Sequence, residues 1–196
     1  AVIEKFVSEK FIKKNKDSYD ITKLGAILLA KNLDEFEEVG RKAVRVIVYK
    51  GKNKIDTIRE QIGKRGYAVG FEGLIDWING QLPANEEIGR AFRSETRMYP
   101  EIAIRELVAN AIIHQDFSEK GFPMIEIFSD RIEISNPGIP LITPQRFIDE
   151  YVSRNERLAD VLRRFGMCEE KGSGIDKVIF YNNGDDRIFP RSPGII

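Results

Sequence analysis

Glu106, Asn110 and His114 stand at four-residue intervals in the run Glu106-Leu107-Val108-Ala109-Asn110-Ala111-Ile112-Ile113-His114. On a helix, positions four apart lie on one side, one turn above the other. A carboxylate, a carboxamide and the chain's only imidazole therefore form a polar stripe along an apolar helix. Polar groups beside a core need partners, and this set suits a polar ligand or a metal ion. An amide oxygen is a hard ligand for Mg²⁺, which keeps several waters and shares phosphate oxygens. A neighbouring carboxylate can orient or deprotonate a water. Gly172-Ser173-Gly174, at the expected start of a helix, offers backbone N–H groups to an anion, and its glycines let phosphate oxygens approach the backbone. Asn136-Pro137-Gly138 stops a strand sharply. Each feature alone also has a structural reading. Glu106 suits a salt-bridged helix residue, Asn110 a satisfied interior amide, and Gly172 and Gly174 helix caps. A lone histidine without a Cys/His cluster is no zinc site, so His114 is expected to order the following loop with Asp116.

The elements that must position these groups follow from periodicity and punctuation. Pro100 suits the first turn of a helix, with Glu101 at the positive end of its dipole. Ile104, Leu107, Val108 and Ala111 form that helix's apolar face, with the polar stripe along its margin. Met124 to Phe128 and Arg131 to Ser135 read as strands joined at Ser129-Asp130. Pro144 to Tyr151, Glu156 to Phe165 and Asp176 to Tyr181 read as helices, and 182–196 as loop. Upstream, residues 2–12 read as a helix, Asn15 to Ser18 as a turn and Tyr19 to Ile21 as a strand. Thr22 is an N-cap for a helix through Leu24, Ile27 and Leu28. This helix–turn–helix order is what a remnant of a winged-helix-like element would leave. Val44, Val46 and Val48 mark a strand over Arg41 to Tyr49, followed by a turn at Gly51 to Asn53. Asp56 to Ile62 reads as helical, 63–70 as a break, and Phe71 to Leu82 as a helix ended by Pro83. Arg90 to Tyr99 reads as a connector or edge strand.

Composition narrows the class. The 196 residues suffice for one domain or two small ones, and 42% hydrophobic with 32% charged residues is the balance of a globular chain. Lys+Arg and Asp+Glu are both 31, so net charge gives no argument for a nucleic-acid or membrane partner. With Cys168 alone there is no intrachain disulfide framework, which suits a reducing compartment, and that thiol is expected to be inert. No apolar run approaches a membrane span. The charged start argues against a secretory signal, and the missing initiating methionine fits a piece of something longer. A cytoplasmic setting without membrane contact is the expectation. Lys10, Lys13, Lys14 and Lys16 form a basic cluster that suits a solvated face better than a DNA arm. Arg154 and Arg157 suit phosphate contacts and a surface role equally.

The order and content of the three boxes resemble the GHKL ATPases, the family of gyrase B, heat-shock ninety chaperones, histidine kinases and MutL. Glu106-Leu107-Val108-Ala109-Asn110-Ala111 is similar to that family's E-x-x-x-N-A box, Asn136-Pro137-Gly138 to its D-x-G, and Gly172-Ser173-Gly174-Ile175 to its second glycine box. A narrower resemblance rests on Arg105 to Phe117, Arg131 to Gly138 and Glu169 to Ile175. It is to the RecG-related group assigned as transcriptional regulators, which carry a divergent GHKL domain, usually behind an AlbA-type Schlafen domain and often before a winged helix. Residues 20–30 resemble the segment linking the first two domains.

The resemblance implies a two-layer α/β sandwich with a mixed sheet. It divides the chain into a smaller amino-terminal α/β segment at 1–97, which can pack as part of the same domain, and an ATP-binding domain at 98–196 with a lid at about 139–171. It further implies that Asn110 holds Mg²⁺, that Gly172, Ser173 and Gly174 cradle phosphate, that Asn136 and Gly138 face the base, and that Glu106 is the general base if ATP is hydrolysed. His114 joins the nucleotide-binding set in a supporting role. Two departures stand out. Asn136 replaces the family's Asp and can accept from an adenine amino group only without charge, and the glycine boxes are short. The expectation is an ATP-binding domain of a DNA-linked regulator, with nucleotide occupancy controlling conformation or assembly and DNA reached through flanking domains; a homodimer is compatible with it. The alternatives are an active ATP hydrolase and a degenerate interaction module that binds no nucleotide.

Overall fold

The computed structural model describes residues 1–82, 99–141 and 152–168, and the backbone of 84–88 and 93–97. The chain opens with α1 (Val2–Ser8), then the antiparallel pair β1 (Ile12–Asn15) and β2 (Ser18–Ile21). The helix expected over 2–12 is shorter than its apolar pattern suggests. The chain leaves it at Lys10, whose φ of +59° is a left-handed conformation uncommon outside glycine. Thr22 caps α2 (Lys23–Leu29) as expected: its Oγ1 accepts from the Gly25 N–H at 3.0 Å and donates to the Lys10 carbonyl at 2.7 Å. Gly25 lies directly on the Phe11 backbone, where a Cβ would come within 2.1 Å of the Phe11 carbonyl oxygen. The absence of a side chain is what lets α2 seat on the hairpin.

A 3₁₀ turn (Leu33–Glu35) and the single turn α3 (Glu37–Gly40) lead to β3 (Arg45–Tyr49). Its alternation is the one read from sequence, with Val44, Val46 and Val48 buried. Residues expected to be helical at 56–62 instead form β4 (Thr57–Ile62), antiparallel to β3 with a bulge between Val48 and Tyr49. All six β4 residues are exposed, so no buried face marked the strand; its backbone pairing with β3 decides. α4 (Tyr67–Asn79) starts four residues before the expected Phe71. β5 (Ala84–Ile88) and β6 (Arg93–Arg97) pair as a separate ribbon. α5 (Glu101–His114), β7 (Met124–Ile127), β8 (Ile132–Ser135) and α6 (Glu156–Arg164) complete the described elements. The helices expected over 144–151 and 176–181 lie outside the described residues.

The main sheet runs β4-β3-β7-β8, with β3 and β7 parallel and the outer pairs antiparallel. This is the mixed sheet, layered with helices, of the GHKL-type α/β sandwich. Val46, Val48, Ile125, Ile127 and Ile134 turn one face into a core shared with Leu28, Phe71, Ile75, Ile104, Val108, Ile112 and Leu162 of the helices. Alternate residues point the other way. There Tyr49 stacks on Phe128 and donates to Glu126, whose second oxygen takes Lys54 at 2.6 Å. Among the described residues no helix is long and apolar enough to cross a membrane. Gly25→Ala is expected to cost about 2 kcal/mol, as overpacking of a filled site does, and to lower the melting temperature by roughly 5 °C in a thermal denaturation followed by circular dichroism.

Candidate functional site

α5 is buried nearly all round: Ala103, Ile104, Val108, Ala109, Ala111, Ile112 and Ile113 are all inside. It runs between the sheet and the other helices, touching β8, α4 and α6. Pro100 precedes it as the N-cap residue rather than within the first turn, with Glu101 in that turn. Glu106 is therefore not marginal. It is 4% exposed and is engaged in an interaction. Its charge, after burial, pushes the Cys168 thiol up to about 11, so Cys168 stays a protonated thiol at neutral pH. Asn110 and His114 follow one and two turns on, both half-buried. Arg105, next to Glu106, faces outward over the Phe71 ring and forms a two-pronged ion pair with Glu72.

The end of α5 is fastened to the strand-ending turn. The Asp116 N–H donates to the Pro137 carbonyl at 2.7 Å, which sets Asn136-Pro137-Gly138 beside the end of the polar stripe. Gly138 has φ +111°, and a Cβ there would meet both Asp116 Cβ and Arg154 Nη1 at 2.7 Å. Glycine is required on both counts. Asp116 takes the Ser118 N–H and hydroxyl on one oxygen and pairs with Arg154 through the other. The Ser118 bonds, ahead of the Arg154 charge, hold its carboxyl below the usual carboxylate range. Arg154 also donates to the Ile139 carbonyl. Asn155 donates to the Ile113 and Gln115 carbonyls at 2.7 and 2.8 Å, closing the carbonyl end of α5. His114 is held below its ordinary pKa, first by burial and then by the Arg154 charge.

His114, Asp116, Gly138 and Arg154 thus form one cluster, with Asn136 in the adjoining turn and Asn110 one turn back along α5. Asp116 belongs to the loop that His114 was expected to order, and Arg154 is its ion-pair partner. Gly172, Ser173 and Gly174 lie outside the described residues. Among the described residues no group of three or more His, Cys, Asp or Glu could hold a metal ion. A Mg²⁺ site here has the Asn110 amide as its expected protein ligand, which fits an ion that takes its remaining ligands from phosphate and water. Sequence reasoning missed Lys42 and Gln115. Both are buried, and both hold the chain in place where it leaves α5. Lys42 donates to the Asp116 and Glu119 carbonyls, and Gln115 to the Tyr67 hydroxyl and the Ile112 carbonyl. No local spacing announces such long-range bonds.

Residues 121–190 match the model of an ATPase-like family described as "Putative ATP-dependent DNA helicase recG C-terminal". The match contains Asn136-Pro137-Gly138 and Gly172-Ser173-Gly174 and begins after α5. Among solved structures, the fold is similar to the DIP2311 protein from Corynebacterium diphtheriae, with a TM-score of 0.68 and 18% identity over 84% of this chain. The chain spans 33% of that protein's length. No curated protein matches the chain.

The single histidine makes this cluster directly readable. Its imidazole resonance is expected to titrate below the ordinary 6.5 in a proton NMR titration, and Arg154→Gln to move it upward. A histidine whose folded pKa is depressed leaves stability intact above the unfolded pKa and removes it as pH falls through the folded value. Urea midpoints are therefore expected to fall on going from pH 7 to pH 5, and His114→Gln to reduce that slope.

Proposed function

We propose that this chain binds ATP with Mg²⁺ along the polar stripe of α5, and that occupancy governs the conformation or assembly of a DNA-linked regulator. The observation that carries the reading is the Asp116-to-Pro137 hydrogen bond. It joins the end of the Glu106/Asn110/His114 helix to a turn inside the stretch that matches an ATPase-like family. Bound Mg²⁺ would neutralise phosphate charge. Asn110 would supply its amide oxygen. Asn136 would accept from the base, beside the positive-φ turn at Gly138. Gly172, Ser173 and Gly174 would offer main-chain N–H groups to phosphate. His114, held neutral at physiological pH, would act as a hydrogen-bonding wall rather than a cation. The DNA link draws support from the RecG description of the matched family and from the sequence resemblance.

A second reading is an ATP hydrolase with Glu106 as base. A general base must reach the attacking water directly or through one intermediary, and Glu106 is buried and already engaged. This favours binding with slow or no turnover. The third reading, an interaction module without a ligand, is separated by the same titration. Isothermal titration with Mg·ATP is expected to give a dissociation constant on the order of micromolar. Asn110→Ala is expected to weaken it by about tenfold or more. No heat at roughly millimolar ATP overturns the reading. Phosphate release that is substantial in the wild type and lost in Glu106→Gln would establish the hydrolase instead.

A further inference from the structure

The nucleotide reading sets the base beside Gly138, yet the space in front of that glycine is filled. A Cβ built there would meet Arg154 Nη1 and Asp116 Cβ, each at 2.7 Å. The missing side chain therefore makes room, in this structure, for two of the chain's own groups. Asp116 reaches the spot from the segment after α5, and Arg154 from the segment before α6. Their ion pair spans the turn, and Arg154 Nη2 also donates to the Ile139 carbonyl at 2.5 Å, one residue past Gly138. The guanidinium thus lies across the turn and fastens it to the root of α6.

Each partner of the pair is anchored without the other. The Asp116 N–H donates to the Pro137 carbonyl at 2.7 Å, and the carboxylate oxygen that Arg154 does not use takes the Ser118 N–H and hydroxyl. The root of α6 is held by Asn155, which donates to the Ile113 and Gln115 carbonyls at 2.7 and 2.8 Å. Beyond it, Leu158, Ala159 and Leu162 are buried in the core. Opening the ion pair therefore frees one side chain and leaves the frame standing. The two side chains keep 18% and 27% of their exposure, so the contact is open to competition. A pair with this access to water shifts an equilibrium by only about fivefold.

We propose that the Asp116–Arg154 pair is an autoinhibitory clasp on the nucleotide site. Closed, it fills the space beside Gly138 that a purine base must take. Nucleotide binding swings the guanidinium off the turn and releases the Ile139 carbonyl with it. Occupancy thereby alters the contact between the Gly138 turn and the root of α6. The clasp rests on the nucleotide reading and gives that reading its conformational response.

Isothermal titration of the intact chain with Mg·ATP tests this in the wild type, Asp116→Asn, Arg154→Gln and the double variant. The two substitutions change the charge of the site in opposite directions. Direct attraction or repulsion of the anionic nucleotide would therefore move the affinity in opposite senses. The clasp requires one sense: each substitution tightens binding, by about fivefold, and the double variant gains no more than the better single, since the clasp is already open. Arg154→Lys, which keeps a cation opposite Asp116, stays near the wild type. Melting temperatures within about 3 °C of the wild type verify that the variants fold. Weaker binding in Arg154→Gln makes Arg154 a ligand and overturns the clasp, as do unchanged affinities in both single variants or gains that add in the double. Silence of the wild type and every variant at ~1 mM Mg·ATP overturns the nucleotide reading and the clasp together. Wild-type binding with single variants that move in opposite senses overturns the clasp alone.

Discussion

The loop that follows α5 is held by a buried polar chain, and the geometry around the candidate site depends on it. Gln115 is 0% exposed. Its amide nitrogen donates to the Tyr67 hydroxyl at 2.8 Å and to the Ile112 carbonyl at 3.0 Å. Tyr67 in turn donates to the Lys42 carbonyl at 2.6 Å, and the Lys42 ammonium returns to the carbonyls of Asp116 and Glu119. The circuit joins the start of α4, the segment before β3 and the end of α5. Each bond adds only about 1 kcal/mol net, but a broken one strands a buried group at about 1–3 kcal/mol. Such a circuit specifies position more than it adds stability. Burial holds the Tyr67 hydroxyl well above its usual pKa, so it remains a donor throughout the physiological range.

Charge is arranged around this circuit in two ways. The buried Lys42 meets main-chain carbonyls, and the half-buried Arg154 meets one carboxylate and one carbonyl; they fix the path of the chain between α5, the turn at Gly138 and the root of α6. Exposed pairs fasten the periphery. Arg164 grips both oxygens of Glu9 at 2.7 Å and holds that carboxyl down to about 2, linking α6 to the amino-terminal segment. Pairs in solvent contribute little stability, so this contact orients more than it stabilises.

Much of this was legible in the sequence where a residue pattern acts locally. Thr22 announced its cap, the Val44/Val46/Val48 alternation its strand, and Ser129-Asp130 its hairpin. The polar stripe at Glu106, Asn110 and His114 was visible because helical spacing is local. Its depth was not: α5 is enclosed on most sides, and the burial of Glu106 depends on which elements pack over it. β4 was misread for a related reason. Thr57, Ile58, Arg59, Glu60, Gln61 and Ile62 bury no face, so hydrophobic periodicity carried no signal and pairing with β3 settled the matter. Asp116, Gly138 and Arg154 meet although many residues of sequence separate them, and only the tertiary fold reveals that neighbourhood.

The parallel pairing of β3 with β7 also bears on how the chain is made. These strands are direct neighbours in the sheet yet roughly 75 residues apart along the chain, so the loop between them must close before the central ladder forms. During synthesis β3 and β4 can pair as soon as they leave the ribosome, while the other edge of β3 waits for most of the remaining described chain. That waiting edge presents Val46 and Val48 on a strand with open backbone groups, the kind of surface that recruits unwanted strands. The central ladder of this fold is thus completed late, when β7 takes up the free edge of β3.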